Sequence, residues 1–122
     1  TFSDALTREG RTEDAISGLQ VALSAMPNDA DLWVGLGQAM MMHAGGMVTP
    51  AARLAFDNAS KLAPENPAPR YFLGLAWLQA GDAKAALREW QTLRDSSPSD
   101  APWLPDLDAR IKAVTAMIAA GG

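Results

Sequence analysis

The chain has 122 residues, no cysteine and a formal net charge of −4. That length suits one compact domain, the missing thiols exclude disulfides, cysteine nucleophiles and thiolate metal sites, and the acidic balance argues against a nucleic-acid partner. Alanine and leucine, which lose little on entering a helix, dominate over β-branched residues and point to an all-α fold.

The chain begins at Thr1-Phe2-Ser3-Asp4, which has neither the basic nor the apolar part of a signal peptide. No apolar run approaches the ~18–20 residues of a membrane span. The segment therefore reads as soluble, and its start without methionine as a fragment or processed form. A short first helix is expected to about Arg8, ended by Gly10, then a second over about Glu13–Met26 with Thr12 as N-cap. Asp31–His43 follows, and then Pro50–Leu62, where Thr49 can cap and Pro50 suits the first helical position. The remaining expected helices are Ala68–Ala80, Ala83–Ser96 (opened by Gly81-Asp82) and Leu104–Ala119, before an unstructured Ala119-Ala120-Gly121-Gly122 tail.

Three similar stretches end at Pro27, Pro64 and Pro98, at spacings of 37 and 34 residues. Eight positions before each proline stands a large apolar residue (Leu19, Phe56, Trp90), and twelve before it an alanine (Ala15, Ala52, Ala86). Trp33-x-x-Leu36-Gly37 returns 37 residues later as Arg70-x-x-Leu73-Gly74, with its aromatic shifted to Tyr71; Gly10 and Gly81 each precede their alanine by five. Small residues allow paired helices to approach closely, the larger ones fill the gap to the next helix, and proline ends the unit.

This register resembles the tetratricopeptide repeat (TPR), a helix–turn–helix unit of about 34 residues. The resemblance implies an all-α superhelix of antiparallel helix pairs forming a single domain over residues 1–122. It would comprise a truncated repeat at 1–29, a repeat at 30–66 with three extra residues around Ala44–Val48, a repeat at 67–100 and a capping helix at 104–119. That last helix carries Leu107, Ile111, Val114 and Ile118 on one stripe and Asp106, Asp108, Arg110 and Lys112 on the other side, as a terminal cap should.

Enzymatic constellations are missing. The single histidine has no cysteine and no G-x-S-x-G elbow to work with, and Gly45-Gly46 is a turn rather than a phosphate cradle. The acid pairs Glu13-Asp14, Asp29/Asp31 and Asp106/Asp108 fall in expected first turns, where carboxylates favour the helix dipole. Met40-Met41-Met42-His43 contains side chains able to ligate haem iron or copper. However, Met40 falls on a core position of the repeat, and successive helical residues cannot share a face. No cofactor, metal or catalytic residue is expected, and His43 reads as an exposed helix-end residue.

TPR arrays hold polypeptides in a concave groove lined by the second, fifth, ninth, twelfth and thirteenth positions of each repeat. In this chain the resemblance places Asp31, Val34, Gln38, Met41 and Met42 there, followed by Ala68, Tyr71, Leu75, Leu78 and Gln79. Many chaperone-binding TPR domains carry a Lys/Asn carboxylate clamp in this groove. Here Val34, Gln38, Tyr71 and Leu75 stand where the clamp would need Lys and Asn. An apolar, methionine-containing groove suits the apolar face of a helix. Tyr71→Ala or Leu75→Asp is then expected to weaken binding of such a helix while leaving helical content intact.

Two further stretches narrow the resemblance: His43-Ala44-Gly45-Gly46-Met47-Val48-Thr49-Pro50-Ala51-Ala52-Arg53, and the ending Ser99-Asp100-Ala101-Pro102-Trp103-Leu104-Pro105. With the repeats they resemble the C-terminal periplasmic TPR domain of the CcmI/CycH family of c-type cytochrome biogenesis proteins. The resemblance implies a chaperone that holds apocytochrome c by its C-terminal helix and delivers it to the haem-ligation complex. It also implies a periplasmic domain, anchored to the inner membrane by helices outside this segment, with no membrane contact of its own. A TPR accessory protein of the nitrite-reductase maturation type, or a general protein–protein scaffold, would share the same repeat framework.

Overall fold

A computed structural model describes the backbone of residues 2–121 and the side chains of residues 10–121. Six helices follow one another without a strand among the described residues: α1 (Phe2–Ala25), α2 (Ala30–His43), α3 (Pro50–Leu62), α4 (Pro67–Gln79), α5 (Ala83–Ser96) and α6 (Leu104–Ala119). They form two compact units, Thr1–Pro64 with α1 to α3 and Glu65–Gly122 with α4 to α6.

In the first unit, the helix starts are set by short polar side chains. The Asp29 carboxylate accepts from the Asp31 and Leu32 amides, and the Thr49 hydroxyl accepts from the Ala52 amide just ahead of Pro50. Leu23, Leu36 and Ala55 form the buried centre, with Ile16, Leu19, Leu32, Trp33 and Met40 packed around them. The tightest contact is between α2 and α3, where Phe56 is wholly buried against Gly37. A Cβ at Gly37 would lie 2.6 Å from the Phe56 ring, so this glycine sets how closely the two helices approach.

The second unit repeats the device. Asn66 and Asp82 cap α4 and α5 by accepting from the Ala68 and Ala85 amides. Trp90 is wholly buried against Gly74, and with Leu93, Leu107 and Val114 it forms the core that α6 closes. Phe56 and Trp90 therefore fill the gap to the preceding helix of their own pair, and Trp90 also reaches the helix that follows.

The expected break at Gly10 is absent. α1 runs through it, Gly10 has no positive φ, and Thr12 is a buried mid-helix residue rather than an N-cap. One internal glycine costs a helix only about 1 kcal/mol against alanine, less than many flanking helix formers supply. Glu13 and Asp14 accordingly lie mid-helix, not in a first turn. The tail also differs from expectation: Ala120 and Gly121 close α6, with Gly121 at φ +87° and its amide bonded to the Ile118 carbonyl.

The structure locates the three-residue insertion. α4 ends with the Asp82 amide bonded to the Trp77 carbonyl, and Asp82 is itself the N-cap of α5. α2 ends the same way, the Gly46 amide bonding to the Met41 carbonyl, but its N-cap is Thr49. The extra residues are thus Met47, Val48 and Thr49, added after a helix stop of the same hydrogen-bond pattern. Gly45 and Gly46 take φ of +68° and +96° to make it. Side chains rarely adopt such angles, so Gly46→Ala is expected to lower stability by about 1 kcal/mol in a thermal melt.

Candidate functional site

On α2, the predicted binding residues Asp31, Val34, Gln38, Met41 and Met42 recur at helical spacing, opposite the stripe of Leu36, Gly37 and Met40 that faces the unit's interior. Asp31, Gln38 and Met42 are exposed, while Val34 and Met41 are half-buried. Met42 is 63% exposed. This half of the predicted surface is open, and its chemistry is apolar with an acid at the N-terminal end and an amide at the centre.

The α4 residues sit differently. None of Ala68, Tyr71, Leu75, Leu78 and Gln79 is exposed. Tyr71, Leu75 and Leu78 pack against the cluster of Trp90, Leu93, Leu107 and Val114 in their own unit. The Tyr71 ring stacks on Trp90 with centroids 5.7 Å apart and planes 15° from parallel, and Arg110 of α6 lies 5.4 Å above the same ring. Much of the face that Tyr71, Leu75 and Leu78 offer is engaged within unit two. Tyr71→Ala would therefore remove a packing partner of Trp90 as well as any ligand contact.

His43 is exposed at the end of α2, yet it is tied down. Its Nδ1 is hydrogen-bonded to the Thr12 hydroxyl at 2.9 Å, and the Glu13 carboxylate lies 4.0 Å from Nε2. Together they link the middle of α1 to the end of α2, next to Met41 and Met42. The helix-period reading gave no sign of this link, because it puts Thr12 at a helix start. Among the described residues no three His, Cys, Asp or Glu side chains converge as metal ligands would. None of the described helices is long and apolar enough to cross a membrane.

The Asp100-Ala101-Pro102-Trp103 ending has a structural task. Trp103 donates its indole N–H to the Ser97 hydroxyl at 2.9 Å, and Ser97 donates to the Leu93 carbonyl at 2.6 Å, fixing the loop to the end of α5. Trp33 does the same job earlier in the chain, donating to the Pro27 carbonyl at 2.8 Å. Asp108, expected on the far side of α6, instead turns back and accepts from Arg94 of α5.

Helix pairs closed by a glycine under a buried aromatic, with a repeating stop-and-cap turn, define a tetratricopeptide-repeat protein. Over 69 residues (57% of the chain, 5% of the relative) it is 38% identical to Superkiller protein 3 of Saccharomyces cerevisiae, also a TPR protein. No protein-family profile matches the chain. It is homologous to the CycH cytochrome c-type biogenesis proteins: 33% identical to that of Rhizobium meliloti over 94% of the chain, and 36% identical to that of Bradyrhizobium diazoefficiens over 82%. It spans 30% and 27% of those two proteins and matches a C-terminal part of them.

Proposed function

We propose that this segment is a non-catalytic polypeptide-holding module of c-type cytochrome maturation. Its client is the C-terminal helix of an apocytochrome c, which it delivers to the haem-ligation complex. The observation that carries the reading is the match to two proteins named for cytochrome c-type biogenesis, extending over nearly the whole chain. On this reading the whole protein is held in the inner membrane by sequence outside the segment, with the segment in the periplasm.

The exposed side of α2 supports the chemistry. Met42 and Met41 can adapt their three flexible torsions to an apolar helix face, and Val34 extends the same strip. A client helix would gain about 25 cal/mol for each Å² of apolar surface it covers, before ordering costs. In this reading Asp31 and Gln38 flank the strip with polar contacts, and Ala68, Tyr71, Leu75, Leu78 and Gln79 act mainly by shaping unit two.

Isothermal titration with peptides tiling an apocytochrome c tests the reading, the C-terminal helix being the expected ligand. Met42→Asp, at a site already in water, is expected to weaken that binding about tenfold and leave the melting temperature unchanged. Equal affinity for every tile, or a Met42→Asp variant that binds as well as wild type, would overturn the α2 assignment.

A further inference from the structure

We propose that Met42 and Met47 form an oxidation-sensitive site, at which a hydroperoxide converts the thioethers to sulfoxides and so releases a held polypeptide. This rests on the holding role proposed for the exposed strip of α2. The chain has six methionines and no cysteine, so every sulfur it offers an oxidant is a thioether. Met42 is exposed by 63%, Met26 by 52%, Met47 by 51% and Met117 by 41%. Met40, by contrast, packs against the cluster of Leu23, Leu36 and Ala55. The stop of α2 brings Met42 and Met47 to one end of the helix. There the Gly46 amide donates to the Met41 carbonyl at 2.8 Å, and the Met47 amide to the Ala44 carbonyl at 3.4 Å. Met47 belongs to the three added residues. The matching turn after α4 lacks them and has no sulfur, with Leu78 and Gln79 where α2 carries Met41 and Met42.

In the reaction a sulfur lone pair attacks one oxygen of the hydroperoxide, and the S–O bond forms as the O–O bond breaks. The departing oxygen takes the proton of the transferred one and leaves as water or an alcohol. Sulfur loses two electrons and the peroxide gains them. A flexible apolar side chain thereby becomes a polar, chiral sulfoxide, which disrupts methionine-rich interfaces and which sulfoxide reductases reverse. Under an apolar helix face the new oxygen would lose its water without gaining a donor, the cost of a buried unsatisfied acceptor. On the free chain both side chains stand in water, so the fold itself loses little. Release without unfolding is the consequence.

Partial oxidation of the chain with hydrogen peroxide tests this, followed by fractionation on the immobilised apocytochrome c tile that the unoxidised chain binds. Fragmentation mass spectrometry then locates the sulfoxides in the retained and unretained fractions. The unretained fraction is expected to be enriched about fivefold or more in sulfoxide at Met42 and Met47, and a reductase should return it to the retained fraction. Sulfoxides at Met26 and Met117, equally open to the oxidant but away from the strip, should divide evenly and serve as the internal reference. The melting temperature of the oxidised chain should stay within about 5 °C of the unoxidised one. A larger fall would overturn the proposal by making release a matter of unfolding. A chain that binds no tile before oxidation would overturn the holding role and the switch with it. A chain that binds, but whose Met42 and Met47 sulfoxides divide as evenly as those of Met26, would overturn the switch alone.

Discussion

Trp90→Ala is expected to lower the unfolding free energy by about 3–5 kcal/mol, the range for deleting a wholly buried large aromatic. Three losses combine at this position. The indole fills the space left by Gly74 and joins Leu93, Leu107 and Val114 in the core of unit two. Its N–H donates to the Tyr71 carbonyl at 3.0 Å, and its face stacks on the Tyr71 ring. A melting temperature lower by well over 10 °C should result, at roughly 4 °C per kcal/mol for a chain of this size. Trp90→Phe separates the terms, because phenylalanine is what the preceding repeat uses at Phe56. It keeps most of the packing and loses the hydrogen bond, so about 1–2 kcal/mol is expected. Hydrogen exchange should place the loss of protection in α4, α5 and α6 more than in α1 and α2. A Trp90→Ala variant melting within two degrees of wild type would show that this cluster is not the core of unit two.

How much of this was legible in the sequence depended on whether a residue's job repeats. The bounds of α3, α5 and α6 were readable because Thr49-Pro50, Asp82 and Pro105 are local signals, and the repeat register supported the first two against each other. The glycines and the aromatics were each readable as a series but not as partners, since the repeat reading aims Phe56 and Trp90 at the next helix and the structure seats them on Gly37 and Gly74 of the preceding one. Gly10 shows the limit. It occupies the register position of Gly81, but a glycine reverses the chain only where tertiary contacts favour a positive φ, and α1 continues through it instead.

The site was less legible for a related reason. The repeat pattern assigns Val34, Met41, Tyr71 and Leu75 the same role, because it records position along a helix and not what a neighbouring helix covers. The structure separates them: Met42 stands open on α2, while Tyr71 lies between Trp90 and Arg110. Arg110 and Asp108 could not be assigned to that packing from α6 alone. Their charges turn toward α5 and α4, Asp108 to Arg94 and Arg110 over the Tyr71 ring. The Thr12–His43 bond was hidden likewise, spanning 31 residues with no repeat counterpart to betray it.

Gly74→Ala is expected to destabilise the protein by about 2 kcal/mol, against the usual rule that alanine in place of a mid-helix glycine stabilises by up to about 1 kcal/mol. The new Cβ would lie 2.2 Å from Nε1 of Trp90 and 2.6 Å from its Cδ1, and the indole is wholly buried with nowhere to retreat. Either the ring tilts and weakens its bond to the Tyr71 carbonyl, or α4 and α5 move apart; overpacking of this kind costs about 1–3 kcal/mol. Gly37→Ala should behave alike but more mildly, its Cβ meeting the edge of the Phe56 ring at 2.6 Å. Gly18→Ala in this segment supplies the opposite sign, because nothing lies within 4 Å of its Cβ and only the gain in helix propensity remains. A double variant, Gly74→Ala with Trp90→Leu, isolates the steric term. If the clash is the cause, the two changes together should cost measurably less than the sum of the single costs, by 1 kcal/mol or so of coupling. Strict additivity in chemical denaturation would instead mean that Gly74 acts through the helix backbone and not through the ring it faces.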